Sequence, residues 1–207
     1  MTGVQTCALP IYKDIGEEIG RALGEEALAQ EISVILGPGL NIKRSHTCGR
    51  NFEYFSEDPY LAGKMAAAYV RGIQEKGVSA CPKHFAVNSQ ELKRMASDSI
   101  VDERTMREIY LTGFEIAVKE SKPGTIMSAY NLINGIYANE SGLLLKDILR
   151  DEWGFDGMVV TDWGGSNDHA LGVKAGSSLE MPAPGLQSVR ELIKAVNENL
   201  TDRKSVV

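Results

Sequence analysis

Asp162 follows the run Met158-Val159-Val160-Thr161 and precedes Trp163-Gly164-Gly165. A carboxylate placed there has an aromatic wall beside it and little steric cover, so it can serve as a nucleophile or as a metal ligand. It can equally cap the next helix, because Asp accepts hydrogen bonds from the free N–H groups of a first turn. Three other apolar runs end in the same way. Val78–Pro82 leads into Lys83-His84-Phe85, with Asn88, Gln90, Glu91 and Arg94 just beyond. Thr125–Ser128 leads into Tyr130-Asn131, and Ile32–Leu36 is followed by Asn41, Lys43, Arg44 and then Gly49-Arg50-Asn51. Taken singly, each has a plain structural reading: a lysine closing a strand, a satisfied core histidine, solvated or ion-paired arginines, a tyrosine at the core edge. As a set they point to a polyhydroxylated ligand. Lys, His and Arg can hold several hydroxyls while an aromatic face packs on the ring's C–H side, and cations beside a carboxylate favour the ionised form that a nucleophile needs.

The elements that must position these groups follow from periodicity. Lys13–Gln30 places Ile15, Ile19, Ala22, Leu23 and Ala27 at three- and four-residue steps, which predicts a helix with one buried face. Ile32–Leu36 reads as a buried strand ending in the turn Gly37-Pro38-Gly39. Asp58-Pro59 reads as an N-cap and first helical residue, opening a helix through Met65, Tyr69 and Ile73 that stops near Gly77. Val78–Phe85 is the next strand, and Asp102 caps a helix carrying Met106, Tyr110, Phe114 and Ala117 that is closed by Pro123-Gly124. Thr125–Tyr130 is a strand, Ser141 starts a helix through Leu144, Ile148 and Leu149, and Met158–Asp162 is a further strand. Ser178–Met181 reads as a shorter strand and Gln187–Leu200 as a last amphipathic helix. Apolar strands alternating with helices predict an α/β fold with a covered parallel sheet and about five βα units. Five units form either an open doubly wound sheet or part of an eight-unit barrel, and in both the working residues sit at the C-terminal ends of strands.

Composition narrows the classes. Of 207 residues, 43% are hydrophobic and 24% charged, and the net charge is −6. The acidic balance argues against nucleic acid. No apolar run approaches the roughly 18–20 residues of a membrane helix. Cys7, Cys48 and Cys81 show no CxxC spacing, so neither a disulfide framework nor a zinc site is expected. A metal- or phosphate-using enzyme would want more ligands around Asp162 or a Gly-rich phosphate loop, and neither pattern is present; no cofactor is expected. The two ends differ from the middle. Thr2–Ile11 has no helical or strand period and none of the features of a signal peptide. It resembles the translated read-through of a short-read sequencing adapter, and Asp202–Val207 resembles that of the partner adapter. The expected layout is therefore adapter-derived residues 1–11 and 202–207 around a native body, 12–201. Localisation is left unassigned, because an export signal would belong to an N-terminus that this layout lacks.

The segments LGPGLNIKRSHTCGRNFEYFSEDPYLAGKMAAAYVRGIQEKGVSACPKHF, MSAYNLINGIYANES, LLKDILRDEWGFDGMVVTDWG and LEMP, in that order, closely resemble the β-glucosidases of glycoside hydrolase family 3. The resemblance runs from about Lys13 to about Leu200. It implies a retaining exo-glycosidase acting on a terminal β-linked glucose or related sugar, built on a (β/α)₈ TIM-type barrel that is incomplete here. By resemblance Asp162 stands at the nucleophile position, with Thr161 replacing the commoner Ser. Arg50, Lys83, His84 and Arg94 match positions that bind sugar hydroxyls. Tyr130 and Trp163 match aromatics beside the nucleophile, and Met127 lines the same pocket. The resemblance also implies that a first barrel segment, with a hydroxyl-binding aspartate, belongs before Tyr12. The acid/base glutamate belongs to a C-terminal domain beyond Thr201 that completes the active site. KHFAVNSQE replaces the KHFPGHG-type loop of the family's N-acetylglucosaminidases, so that branch is not expected. A non-catalytic sugar-binding remnant is the alternative from another class.

Overall fold

The computed structural model describes residues 3–201, with side chains from residue 13 onward; Asp202–Val207 lie outside the described residues. A long helix α1, Gly3–Ala29, comes first. It extends well before the predicted start at Lys13, into the stretch read as having no helical period. The strand β1 is Val34–Ile35, followed by the helix α2, Pro59–Glu75, and the strand β2, Ser79–Ala80. The α2 start is as the sequence predicts: Pro59 occupies the first turn, and the Asp58 carboxylate accepts from the Leu61 N–H at 2.7 Å. The chain leaves α2 through Gly77 at φ +81°, a conformation that costs glycine little.

The next helical stretch begins at α3, Glu103–Thr105, capped by Asp102, widens into π-type turns over Met106–Leu111, and continues as α4, Thr112–Ser121. It leads into β4, Thr125–Ser128. A second helix with π-type turns, Leu143–Glu152, connects β4 to β7, Met158–Thr161. The Ser141 hydroxyl accepts from the Leu144 N–H at its entry. α5, His169–Ala175, capped by Asp168, and α6, Leu186–Asn197, complete the chain. A small sheet of β3 (Asp98–Ser99), β5 (Leu132–Ile133) and β6 (Ile136–Tyr137) sits on the loops, its hairpin turning at Asn134-Gly135.

β1 pairs with β2 and β4 with β7, both parallel, and the bridge Phe85–Ser128 joins the two pairs. Ser178–Met181 is not a strand: only Leu179 bridges to Val160, and the chain leaves again toward α6. The predicted strand at Val78–Phe85 also shortens to two ladder residues, because after Ala80 single bridges from Lys83 and Phe85 replace a continuous ladder. The wall still has five positions, and they succeed one another in sequence order: β1, β2, β4, β7, Leu179. A doubly wound sheet reverses its order at a switch point, whereas unbroken order with right-handed crossovers keeps every helix on one face and curls the sheet into a barrel.

Side-chain alternation along the wall agrees. Ile126 and Val159 pack outward into a core with Phe85, Phe114, Leu144, Ile148 and Leu149. Met127, Val160 and Cys81 pack together on the opposite, inner face. No described helix is long and apolar enough to cross a membrane.

The helical layer is tight around α2. A Cβ on Gly20 of α1 would lie 2.5 Å from the Tyr69 carbonyl oxygen, and one on Gly72 of α2 would meet the carbonyl of Glu17. On the other side a Cβ on Gly63 would lie 2.8 Å from the Ile116 Cβ of α4. All three contacts involve backbone or a branched side chain near its root, which cannot swing away. Gly72→Ala is therefore expected to cost about 1–3 kcal/mol through overpacking, read as a lower denaturant midpoint with an unchanged slope. An unaltered midpoint would show that α1 is not seated on α2 at this distance.

Candidate active site

Lys83-His84, Tyr130 and Asp162 emerge beyond the C-terminal ends of their strands, whereas Lys43 and Arg44 line a separate hollow with Glu57, Asp58 and Tyr110. Asp162 directly follows β7, and its carboxylate is divided between two environments. Oδ1 accepts from the Trp163 N–H at 2.7 Å. Oδ2 is buried and accepts no hydrogen bond from the described residues. Around Oδ2 stand His84 Nε2 at 3.6 Å and Arg50 Nη1 at 3.9 Å. One oxygen is thus fixed by backbone, while the other, flanked by a guanidinium and an imidazole, stays free to bond elsewhere.

Tyr130 stands beside this carboxylate. Its hydroxyl donates to the Trp163 carbonyl at 2.6 Å, and the Arg94 guanidinium lies 4.5 Å from its ring centroid. Burial first, and then the Asp162 charge, raise the Tyr130 phenol above its usual value. Trp163 is 54% exposed, an aromatic face open to a ligand. Met127 is level with Val160 in the β4–β7 register, hence on the same face as Asp162 and two residues deeper. At about 3.3 Å per residue that puts it some 6–7 Å beneath the carboxylate, as floor rather than wall. The structure thus gathers Arg50, Lys83, His84, Arg94, Tyr130 and Trp163 at one rim and sets Met127 below them.

Two carboxylates organise these cations: Glu53, which the sequence reading missed, and Glu91, which it placed after the strand without a partner. Glu53 hydrogen-bonds to Arg50 Nε, and its other oxygen lies 3.1 Å from Lys83 Nζ. Burial pushes the Glu53 carboxyl up, but the hydrogen bonds and charges of Arg50 and Lys83 outweigh it and hold the group below the usual carboxylate range. Glu91 pairs with Arg94 at 2.9 Å. Arg50, Lys83 and Arg94 are therefore each paired with an acid other than Asp162, and of the three Arg50 also comes within 4 Å of the Asp162 carboxylate. The only sequence signal for Glu53 is its place three residues after Arg50, which a short helical turn, Asn51–Glu53, converts into a contact.

His84 is 1% exposed. Asn41 clamps its backbone from both sides, accepting from the His84 N–H at 2.7 Å and donating to its carbonyl at 2.8 Å. Burial, and then the charges of Arg50, Lys83 and Arg94, push the imidazole down from 6.5 to about 2, so the ring is neutral. The Tyr54 hydroxyl lies 3.2 Å from its Nδ1.

The site brings together a carboxylate with one unbonded oxygen, neutral and cationic side chains, and an open aromatic face. Known proteins share this chain's sequence and shape. Residues 8–198 match the glycosyl hydrolase family 3 N-terminal domain. The chain is 51% identical over 196 residues to thermostable beta-glucosidase B of Acetivibrio thermocellus, covering 92% of this chain and 26% of that protein. It is also 51% identical, over 165 residues, to an exo-alpha-(1->6)-L-arabinopyranosidase of Bifidobacterium longum, covering 80% of this chain and 22% of that protein. Beta-glucosidase 3B of Thermotoga neapolitana, solved in complex with glucose, superposes with a TM-score of 0.90 at 46% identity, over 93% of this chain and 28% of that one. The chain thus spans about a quarter of the length of these relatives. Its wall of strands is part of a TIM-type barrel, and the chain belongs to glycosyl hydrolase family 3.

Proposed function

We propose that the parent enzyme is a retaining, exo-acting β-glycosidase that removes a terminal β-D-glucosyl residue through a covalent intermediate on Asp162. The observation that carries this reading is the divided carboxylate: Oδ1 held by a backbone N–H, Oδ2 buried and without a hydrogen-bond donor among the described residues. Such an oxygen is oriented for attack on an anomeric carbon. As the Oδ2–C1 bond forms, the bond from C1 to the leaving oxygen breaks, and that oxygen takes a proton from an acid. Water then attacks C1, the C1–Oδ2 bond breaks to return the Asp162 carboxylate, and the residue that served as acid, now a base, accepts the water's proton. Arg50, Lys83, His84 and Arg94 supply donors for the sugar hydroxyls, and Trp163 and Tyr130 supply the apolar flank.

Retention requires the second carboxyl group about 5–5.5 Å from the first. Glu53 does not suit that role, since a carboxyl held ionised by two cations has no proton to give. We assign the acid/base to a segment outside residues 12–201, with residues 1–11 and 202–207 read as adapter-derived. On that layout the 207-residue chain alone is inactive. The family relative that acts on an L-arabinopyranoside is as similar as the β-glucosidase, so the glycone is tested alongside the mechanism.

In the full-length enzyme, Asp162→Asn should lower kcat on aryl β-D-glucosides by about 10³-fold or more, the scale of losing a covalent-catalysis nucleophile, with the thermal unfolding midpoint retained. Activity within a few-fold of the parent removes Asp162 from this role. Aryl β-D-xyloside and α-L-arabinopyranoside, assayed in parallel, should give lower kcat/KM than the glucoside; a preference for either reassigns the glycone. Because His84 is already neutral far above its depressed pKa, raising or lowering pH through 6.5 does not change its charge. His84→Gln should lower kcat/KM while leaving both limbs of its pH profile where they are. A limb near 6.5 that vanishes in His84→Gln would contradict that.

A further inference from the structure

The two ring nitrogens of His84 face different groups, and a neutral imidazole carries one proton to share between them. Nδ1 lies 3.2 Å from the Tyr54 hydroxyl. Nε2 lies 3.6 Å from Asp162 Oδ2 and has no hydrogen-bond partner among the described residues. Tyr54 is 3% exposed, and burial raises its phenol well above the usual value, so it keeps its proton. The Asn41 clamp on the His84 backbone and the edge-to-face packing of the two rings, centroids 6.2 Å apart, hold this arrangement.

Two proton arrangements are possible and they are unequal. With the proton on Nδ1, the ring would donate to the phenol oxygen. The phenol's own proton would then have no described acceptor, and the Nε2 lone pair would point at an Asp162 oxygen. With the proton on Nε2, the phenol donates to the Nδ1 lone pair and Nε2–H is directed toward the carboxylate side of the pocket. The second arrangement gives the phenol proton an acceptor and turns a donor, instead of a lone pair, toward the Asp162 carboxylate 3.6 Å away.

We propose that Tyr54 is a positioning residue whose hydroxyl donates to His84 Nδ1 and thereby keeps the ring proton on Nε2, presented to the sugar and to Asp162 Oδ2. His84 is then a donor only. Its Nε2–H donates to a sugar hydroxyl oxygen or toward the Asp162 carboxylate, and the ring takes no part as a base. This deepens the glycosidase reading and rests on it for the word sugar; the tautomer itself does not depend on turnover.

The experiment labels the full-length enzyme with ¹⁵N-histidine and assigns the His84 signals by their loss in His84→Gln. The expected spectrum shows an unprotonated Nδ1 and a protonated Nε2; the reverse assignment overturns the proposal whatever the activity. In Tyr54→Phe, which keeps the ring and removes the hydroxyl, the Nδ1 shift should move and kcat/KM should fall by about tenfold, the worth of one buried hydrogen bond. Gln at position 84 can offer its amide N–H near Nε2 without help from Tyr54. In the His84→Gln background the same Tyr54→Phe change should therefore cost less than about twofold, within the error of additivity. An equal loss in both backgrounds shows that Tyr54 only packs, and overturns the proposal. If Tyr54→Phe does not fold, the spectrum of the unaltered enzyme decides.

Discussion

The rim of this barrel depends on one half-buried carboxylate. Glu53 ties Arg50, from the long loop after β1, to Lys83, from the end of β2. Without it, two cations brought out of water would face each other across a small space, and each would lose hydration with little in return. With it, they form a compact unit that can approach Asp162 without overwhelming it. Glu91 does the same for Arg94, which in turn lies across the ring of Tyr130. Three cations of the rim are thus shared between two acids, and Asp162 is left with one oxygen that no described donor occupies.

That balance explains the state of His84. Even paired, three cations close to a fully enclosed imidazole make a positive charge there unfavourable, and burial alone already does so. The ring stays neutral, which makes the position of its single proton the quantity that matters. Local structure decides it through Tyr54, a residue only one step along the chain from Glu53. The turn Asn51–Glu53 and its exit at Tyr54 therefore serve both halves of the rim, the cations and the imidazole.

Much of this was legible in the sequence, and the reasons are specific. Caps are local, so Asp58-Pro59 and Asp102 read correctly, and the apolar runs before Lys83, Tyr130 and Asp162 announced where strands end. Pairing is not local. Ser178–Met181 has a strand's composition, yet only Leu179 bridges to β7, because the chain must leave at once for α6. The strand at Val78–Phe85 lost ladder residues for a related reason: Lys83 and Phe85 bridge to different neighbours, Gly39 and Ser128. The hairpin at Asn134-Gly135 is a local feature too, its Asn-Gly pair supplying the two positive φ angles of the turn. Glu53 and Tyr54 were hidden in a stretch where an acid and a tyrosine read as ordinary surface and core-edge residues. Their roles appear only when Lys83 and His84, thirty positions later, are folded against them.

The central claim is that Asp162 Oδ2 forms a bond to the anomeric carbon. The most direct measurement is to treat the full-length enzyme with a 2-deoxy-2-fluoro-β-D-glucosyl fluoride, whose second step is slow, and to map the modified peptide by mass spectrometry. The account predicts one 2-fluoroglucosyl group on the peptide containing Asp162, linked through its carboxylate. A label on any other carboxylate, or steady release of fluoride with no labelled peptide, would contradict it.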